Sequence, residues 1–353
     1  MNSDIYRRLA QKLDELPNRF PQTKSGIEYR MLAKIFEAEE AALACTMELD
    51  PESSIIIAAR AGIDPRETRD RLKRMAAKGL IDLQIGEGEF TYALRPFVVG
   101  FYEGQLPRMD KEMAELFEQY YRETQGGLLH PTPAFHRVIP VGRAIPLKVN
   151  IDPYEQANGM LENAQSWGVR ECVCRKQQLL LGNRCRHTLE TCLVFAPRKN
   201  AFARSTVDRA ITKEEALKIL RETEEEGLVH SSGNYRDGIE YICNCCTCCC
   251  GIIRGIAEYG ILSAVAHSDF HIALEEEHCS QCGACIDRCQ FKALSIPDTV
   301  LALDLKHCVG CGLCVLVCPT EALHLERREA DQILKPPSDI REWRAQRDLT
   351  KVR

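Results

Sequence analysis

Between residues 279 and 318 one cysteine pattern is written twice. Cys279, Cys282, Cys285 and Cys289 recur 29 residues later as Cys308, Cys311, Cys314 and Cys318. A C-x2-C-x2-C-x3-C run supplies soft thiolates that converge on one small inorganic body, which is what a [4Fe-4S] cubane requires. The repeat extends past the cysteines. His278 and His307 precede the two runs, and Ala293-Leu294 and Ala322-Leu323 follow them at the same offset. Each half is therefore expected to fold as strand, ligand loop, short helix and strand. Zinc matches poorly, because a zinc site needs four ligands and usually pairs two short cysteine motifs, whereas eight cysteines stand here in duplicated cluster spacing.

Length and composition bound the remainder. A chain of 353 residues with 45% hydrophobic content has room for about two to three packed domains. Its nineteen cysteines would suggest disulfides in a short secreted chain, but the start MNSDIYRRLAQKLDELP has no apolar signal-peptide core. No run approaches the ~18 apolar residues of a membrane span. A cytoplasmic setting is expected, where thiols stay reduced and clustered cysteines mean metal, and an anaerobic host suits oxygen-sensitive clusters. The net charge of -5 gives no global attraction to nucleic acid or anionic membrane.

Residues 1–125 are expected to form a winged-helix-like domain. Ile27, Met31, Leu32, Ile35, Phe36 and Leu43 recur at helical spacing over 28–44, ahead of Asp50-Pro51. A second helix is expected from Glu52 to Ala61, closed by Gly62. A third runs from Pro65 to Lys78, opened by Asp64 with Glu67 and ended at Gly79. Two strands then flank Gly86-Glu87-Gly88, giving helix, turn, helix and a glycine-tipped hairpin. Arg66, Arg69, Arg71, Lys73, Arg74 and Lys78 give the third helix the charge of a DNA-reading helix. Exposed basic helices are also ordinary solvated surface, and the same pattern serves docking or homodimerisation, so DNA is the less favoured partner. An amphipathic helix is expected over 110–122, and residues 126–170 are read as a connector, glycine- and proline-rich over 126–150.

Ten further cysteines lie in a middle region, residues 171–270: Cys172, Cys174, Cys185 and Cys192, then Cys243, Cys245, Cys246, Cys248, Cys249 and Cys250. On a strand, Cys172 and Cys174 would share a face. On a helix, Cys245, Cys248 and Cys249 would share one face, and Cys246, Cys249 and Cys250 another. Ten thiols can ligate two more cubanes, or one unusual cluster with an open coordination site; storage of zinc or copper is the competing reading. Packing alone does not account for six cysteines in eight positions. Arg175, Lys176, Arg184, Arg186 and His187 surround the first set and would offset thiolate charge, and His187 is also a lesser candidate ligand. Thr212 with Glu215 is expected to open a helix that Gly227 closes, bringing the two sets together. Cys45 stands apart and reads as an apolar residue rather than a ligand.

The repeat at 279–318 resembles a bacterial two-cluster ferredoxin, and residues 271–328 are read as that domain, followed by a charged tail over 329–353. In that family the fourth cysteine of each run crosses over. The resemblance therefore implies one cluster on Cys279, Cys282, Cys285 and Cys318, and the other on Cys308, Cys311, Cys314 and Cys289. Proline follows the second run as Pro319, but Gln290 stands in its place after the first. Over residues 28–326 the chain resembles a family of iron-sulfur proteins of anaerobic bacteria and archaea, characterised mainly by domain. The likeness rests on Cys172-Val173-Cys174-Arg175, Ile211 to Glu215, Cys243 to Gly251 and the two ferredoxin runs. It implies an α+β architecture and iron-sulfur electron transfer without naming a reaction. No glycine-rich dinucleotide fingerprint, P-loop or HExxH motif is present, so electrons must come from a redox partner or a larger reductase. Two clusters are expected in the ferredoxin and one or two in the middle domain. The alternatives are a redox-responsive DNA-binding regulator and a docking subunit. If the chain is an enzyme, it is an oxidoreductase acting at the middle centre.

Overall fold

The computed structural model describes residues 3–85, 89–146 and 149–350. It has an α+β architecture in two compact units, one formed by residues up to 128 together with 176–183, the other by 129–175 and 184–350.

The first unit runs α1 (Ser3–Glu15), α2 (Ile27–Ile35), α3 (Ala38–Ala44), β1 (Glu52–Ser53), α4 (Ser54–Ala61), α5 (Pro65–Ala77), β2 (Ile81–Ile85), β3 (Phe90–Leu94), α6 (Tyr102–Gly104) and α7 (Lys111–Thr124). The periodic stretch 28–44 is two helices rather than one. Phe36 turns extended at the end of α2, and Glu37 and Glu40 form a reciprocal capping box that starts α3. Ser53 caps α4, and the Asp64 carboxylate accepts the N–H groups of Arg66 and Glu67 at 2.9 and 3.1 Å to open α5. The strands form an antiparallel sheet in the order β1-β3-β2; the glycine tip expected at 86–88 lies outside the described residues. Two of the basic side chains on and just after α5 are engaged internally. Arg71 pairs with Glu39 and Glu67, and Lys78 with Glu37 and Glu40.

The second unit begins with β4 (His136–Val138), α8 (Ala157–Glu162), β5 (Ser166–Glu171) and α9 (Val173–Leu180), whose residues from Lys176 belong to the first unit. It continues with β6 (Glu190–Ala196), β7 (Arg209–Ile211), α10 (Lys213–Glu226), β8 (Val229–Gly233), β9 (Tyr241–Cys245), α11 (Arg254–Tyr259) and β10 (Val265–Ala266). Seven strands make one sheet, ordered β10-β4-β8-β9-β6-β5-β7 and antiparallel except between β10 and β4. Leu161 from α8 and Ala216 and Leu220 from α10 pack on Val169, Leu193, Phe195 and Ile242 of the strands. Thr212 caps α10 through the Glu215 N–H, and Gly227 ends it at φ +85°, as the sequence pattern anticipates. The stretch read as a connector carries β4, all three residues of which are buried. Arg137 on β4, 2% exposed, lies 3.3 Å from Glu155 and 3.1 Å from Asp269, so this segment is part of the core rather than a tether.

The ferredoxin half follows as β11 (Phe270–Leu274), α12 (Ala284–Arg288), β12 (Leu294–Ser295), β13 (Ala302–Leu303), β14 (Leu323–Arg327) and α13 (Ile340–Leu349). β11 pairs with β14 and β12 with β13, both antiparallel, so the duplicated sequence folds as two interlocked halves. In the second half a single helical turn over Val315–Val317 takes the place of α12. Gly310 turns at φ +72°, and a Cβ there would lie 2.1 Å from the Phe270 carbonyl oxygen, so only glycine fits beside Cys311. The charged tail docks back on its own unit: Trp343 is buried and donates to the Ala134 carbonyl at 2.9 Å, and fully buried Arg347 donates to Pro133.

Candidate metal centres

Two hollows, partly open to solvent, lie in the ferredoxin half. Cys279, Cys282, Cys285 and Cys318 line one. Cys289, Cys308, Cys311 and Cys314 line the other. Each hollow takes three cysteines from one run and the fourth from the other, because the β11–β14 and β12–β13 pairings fold each run's end beside its twin. The surroundings fit anionic sulfur ligands. The Ala293 N–H donates to Cys289 Sγ at 3.4 Å, and burial raises the Cys289 thiol while the N–H groups of Ala293, Phe291 and Lys292 pull it back.

The ten middle cysteines separate into two groups. Cys185, Cys246, Cys248 and Cys249 bring their four sulfurs within 4.8 Å of one another. Cys185 Sγ is 3.8 Å from Cys246 Sγ and 3.6 Å from Cys248 Sγ, and Cys248 and Cys249 are 3.7 Å apart. The other six form a chain in which each thiol lies in hydrogen-bonding reach of the next: Cys172, Cys174, Cys250, Cys245, Cys243 and Cys192.

Local structure explains the division. The helical faces considered for Cys245–Cys250 do not arise; Tyr241–Cys245 is strand β9, so Cys243 and Cys245 share one face and Asn244 takes the other. Cys192 lies on neighbouring β6, one step from the Leu193–Ile242 pair. A tight turn then follows, with the N–H of Cys250 bonded to the Cys246 carbonyl at 3.0 Å. Cys246, Cys248 and Cys249 leave this turn toward Cys185, whereas Cys250 returns toward Cys174 and Cys245. Nor do Cys172 and Cys174 lie on a strand: Cys172 follows β5 and Cys174 sits in the first turn of α9, yet their sulfurs still meet.

Arg175 reaches Cys246 and acts on both groups through its charge. It is 2% exposed, donates to the Asn244 carbonyl at 3.0 Å and to Thr191 Oγ1, and places Nη1 3.9 Å from Cys246 Sγ. Burial works against its charge; Cys172, Cys246 and Cys245 more than restore it. In each group one thiol is biased toward the thiolate. Neighbouring S–H groups do this, from Cys246 and Cys249 at Cys248 and from Cys243 and Cys250 at Cys245, which is lowered to about 6. His187 stays outside the four-sulfur group and lies 3.6 Å from Glu226. Cys45 is half-buried at the end of α3 in the first unit.

Sequence reading passed over the polar residues that support these thiols: Asn244, Thr191, Ser231 and Thr247. Ser231 Oγ lies 3.6 Å from Cys245 Sγ, and Asn244 donates to the Thr191 carbonyl at 2.6 Å. A polar residue alternating with cysteines on a buried strand was the available signal.

Residues 302–324 match the model of a family described as a 4Fe-4S binding domain. No curated protein and no solved structure matches the chain. The chain thus carries a 4Fe-4S binding domain near its C-terminus, which supports at least one such cluster, and a separate cysteine-rich group. Among the described residues, no helix is long and apolar enough to cross a membrane.

Proposed function

We propose that the chain is an iron-sulfur electron-transfer protein. In this reading Cys279, Cys282, Cys285 and Cys318 hold one [4Fe-4S] cluster, Cys308, Cys311, Cys314 and Cys289 hold a second, and the six-thiol group holds a further iron-sulfur centre that serves a partner oxidoreductase. The observation that carries it is the pair of hollows, each lined by three cysteines of one run and one of the other. When bound, such a cluster takes up and releases single electrons, at a potential set by net charge, hydrogen bonds to sulfur and exposure.

The chain's own residues adjust each of these. The Ala293 N–H on Cys289 and the charge of the Arg175 guanidinium acting on Cys172 and Cys245 favour the more negative, reduced state. Cys308 and Cys314 of one hollow are buried, whereas Cys282 is exposed at the rim of the other, which makes that rim the side for a partner to approach. Docking through the first unit is the second reading, supported by helices and a hairpin in winged-helix order. A DNA-reading role has less support, since Arg71 and Lys78 are spent on internal ion pairs.

Replacing Cys311 with Ser tests the ligand assignment. One ferredoxin signal in the electron paramagnetic resonance of the reduced protein should change while the middle centre's signal persists; simultaneous loss of both would contradict the division.

A further inference from the structure

We propose that Cys185, Cys246, Cys248 and Cys249 form a mononuclear zinc site, distinct from every iron-sulfur centre of the chain. The reasoning begins with how far apart thiolates must stand. Four thiolates around one zinc ion, with bonds of about 2.3 Å, lie at tetrahedron corners about 3.8 Å apart. A cubane instead holds its thiolates outside a body of four irons and four sulfides, which pushes them much farther from one another. The distances here are 3.8, 3.6 and 3.7 Å, with all four sulfurs within 4.8 Å.

The same molecule supplies the contrast. Its ferredoxin thiols line two hollows, and among the described residues none of them joins so tight a group. Among the described residues one set of four is thus gathered around a point, whereas the ferredoxin sets are not, and the other six middle thiols reach only from neighbour to neighbour along a chain.

Local chain geometry points the same way. Three of the four ligands come from one turn, and two of them, Cys248 and Cys249, are adjacent. Fixed surroundings complete the site. Arg175 offsets the negative charge left by four thiolates on a divalent ion, and the Thr247 N–H in the middle of the turn is held by the Gln290 side chain at 2.7 Å. The ion would pin the loop around Cys185 to the turn and remain redox-silent, which leaves the six-thiol group as the iron-binding part of the middle region. That last consequence rests on the iron-sulfur reading; the zinc assignment does not.

The test uses the full chain, produced anaerobically with both metals supplied, and determines zinc and iron per chain together with X-ray absorption at the zinc edge. The expected result is about one zinc with four sulfur neighbours at about 2.3 Å, and loss of that zinc in Cys248→Ser with iron content unchanged. Absence of zinc in the wild type, with Cys248→Ser losing about one iron (a mononuclear iron site) or about four (a cubane), would overturn it. So would a zinc shell containing nitrogen or oxygen. Because the wild-type spectrum decides the coordination, a variant that fails to fold leaves the result intact. Failure of the iron-sulfur reading would appear separately, as one zinc accompanied by iron for the ferredoxin clusters alone.

Discussion

The side-chain carbonyl of Gln290 accepts the backbone N–H of Thr247 at 2.7 Å. Gln290 directly follows Cys289, and Thr247 sits between Cys246 and Cys248, so one side chain ties the ferredoxin run to the thiol-rich turn. The Gln290 amide also donates to the Gly227 carbonyl. The residue that departs from the ferredoxin pattern is the one that joins the two cysteine systems.

Gln290→Leu should therefore keep both ferredoxin signals and weaken metal retention at the turn, by about 10- to 100-fold as for other residues that orient metal ligands. Competition with a chelator, read as zinc released per chain, measures it. Unchanged retention would mean that the turn is organised without Gln290.

What the sequence made legible follows from the physics of each segment. The ferredoxin half was readable because its cysteine spacing is set by the cluster, and its strands and α12 fall where the repeat puts them. Capping chemistry located α10 and α5, since Thr212, Gly227 and Asp64 act within a few residues. The middle group was not readable. Which thiols meet depends on β6 lying beside β9 and on a turn after Cys245, both set by pairings distant in sequence. The helical arrangement considered for Cys245 to Cys250 gives way to a strand end and a turn. Likewise β4 hid in a proline-rich stretch because its partners, β8 and β10, come far later in the chain, His136 pairing with Gly233 and Val265.

Gly310→Ala should disrupt the cluster site lined by Cys308, Cys311 and Cys314 and spare its twin. The left-handed backbone alone costs a residue with a Cβ about 1–2 kcal/mol, and that Cβ would also lie 2.1 Å from the Phe270 carbonyl oxygen. Iron per chain should fall by about four. Full iron content would show that the loop can relax.

Arg137→Met should lower stability by about 3–5 kcal/mol, because it removes the cation between buried Glu155 and Asp269 and leaves Asp269 only Arg327 at 3.5 Å. The midpoint of urea unfolding reads this. A change below about 1 kcal/mol, the range of exposed ion pairs, would contradict the role given to this network.

Stability should also fall as the solution is acidified through the range of His136. Burial lowers its folded pKa from 6.5 to about 4, so the unfolded chain binds the proton first. Its contribution is complete above about pH 6.5 and is lost as pH falls toward 4, by about 3 kcal/mol in all. Comparing urea midpoints of the native chain and His136→Gln between pH 7.5 and 5.5 isolates this group. The native protein should lose more stability than the variant on acidification, and parallel curves would contradict the assignment.

The central claim is that the thiol-rich core holds an iron-sulfur centre in addition to the two of the ferredoxin half. Iron and acid-labile sulfide per chain, measured anaerobically alongside electron paramagnetic resonance of the reduced protein, test it most directly. At least about twelve irons, with a signal beyond the two ferredoxin clusters, is the predicted result. About eight irons and no additional signal would contradict it.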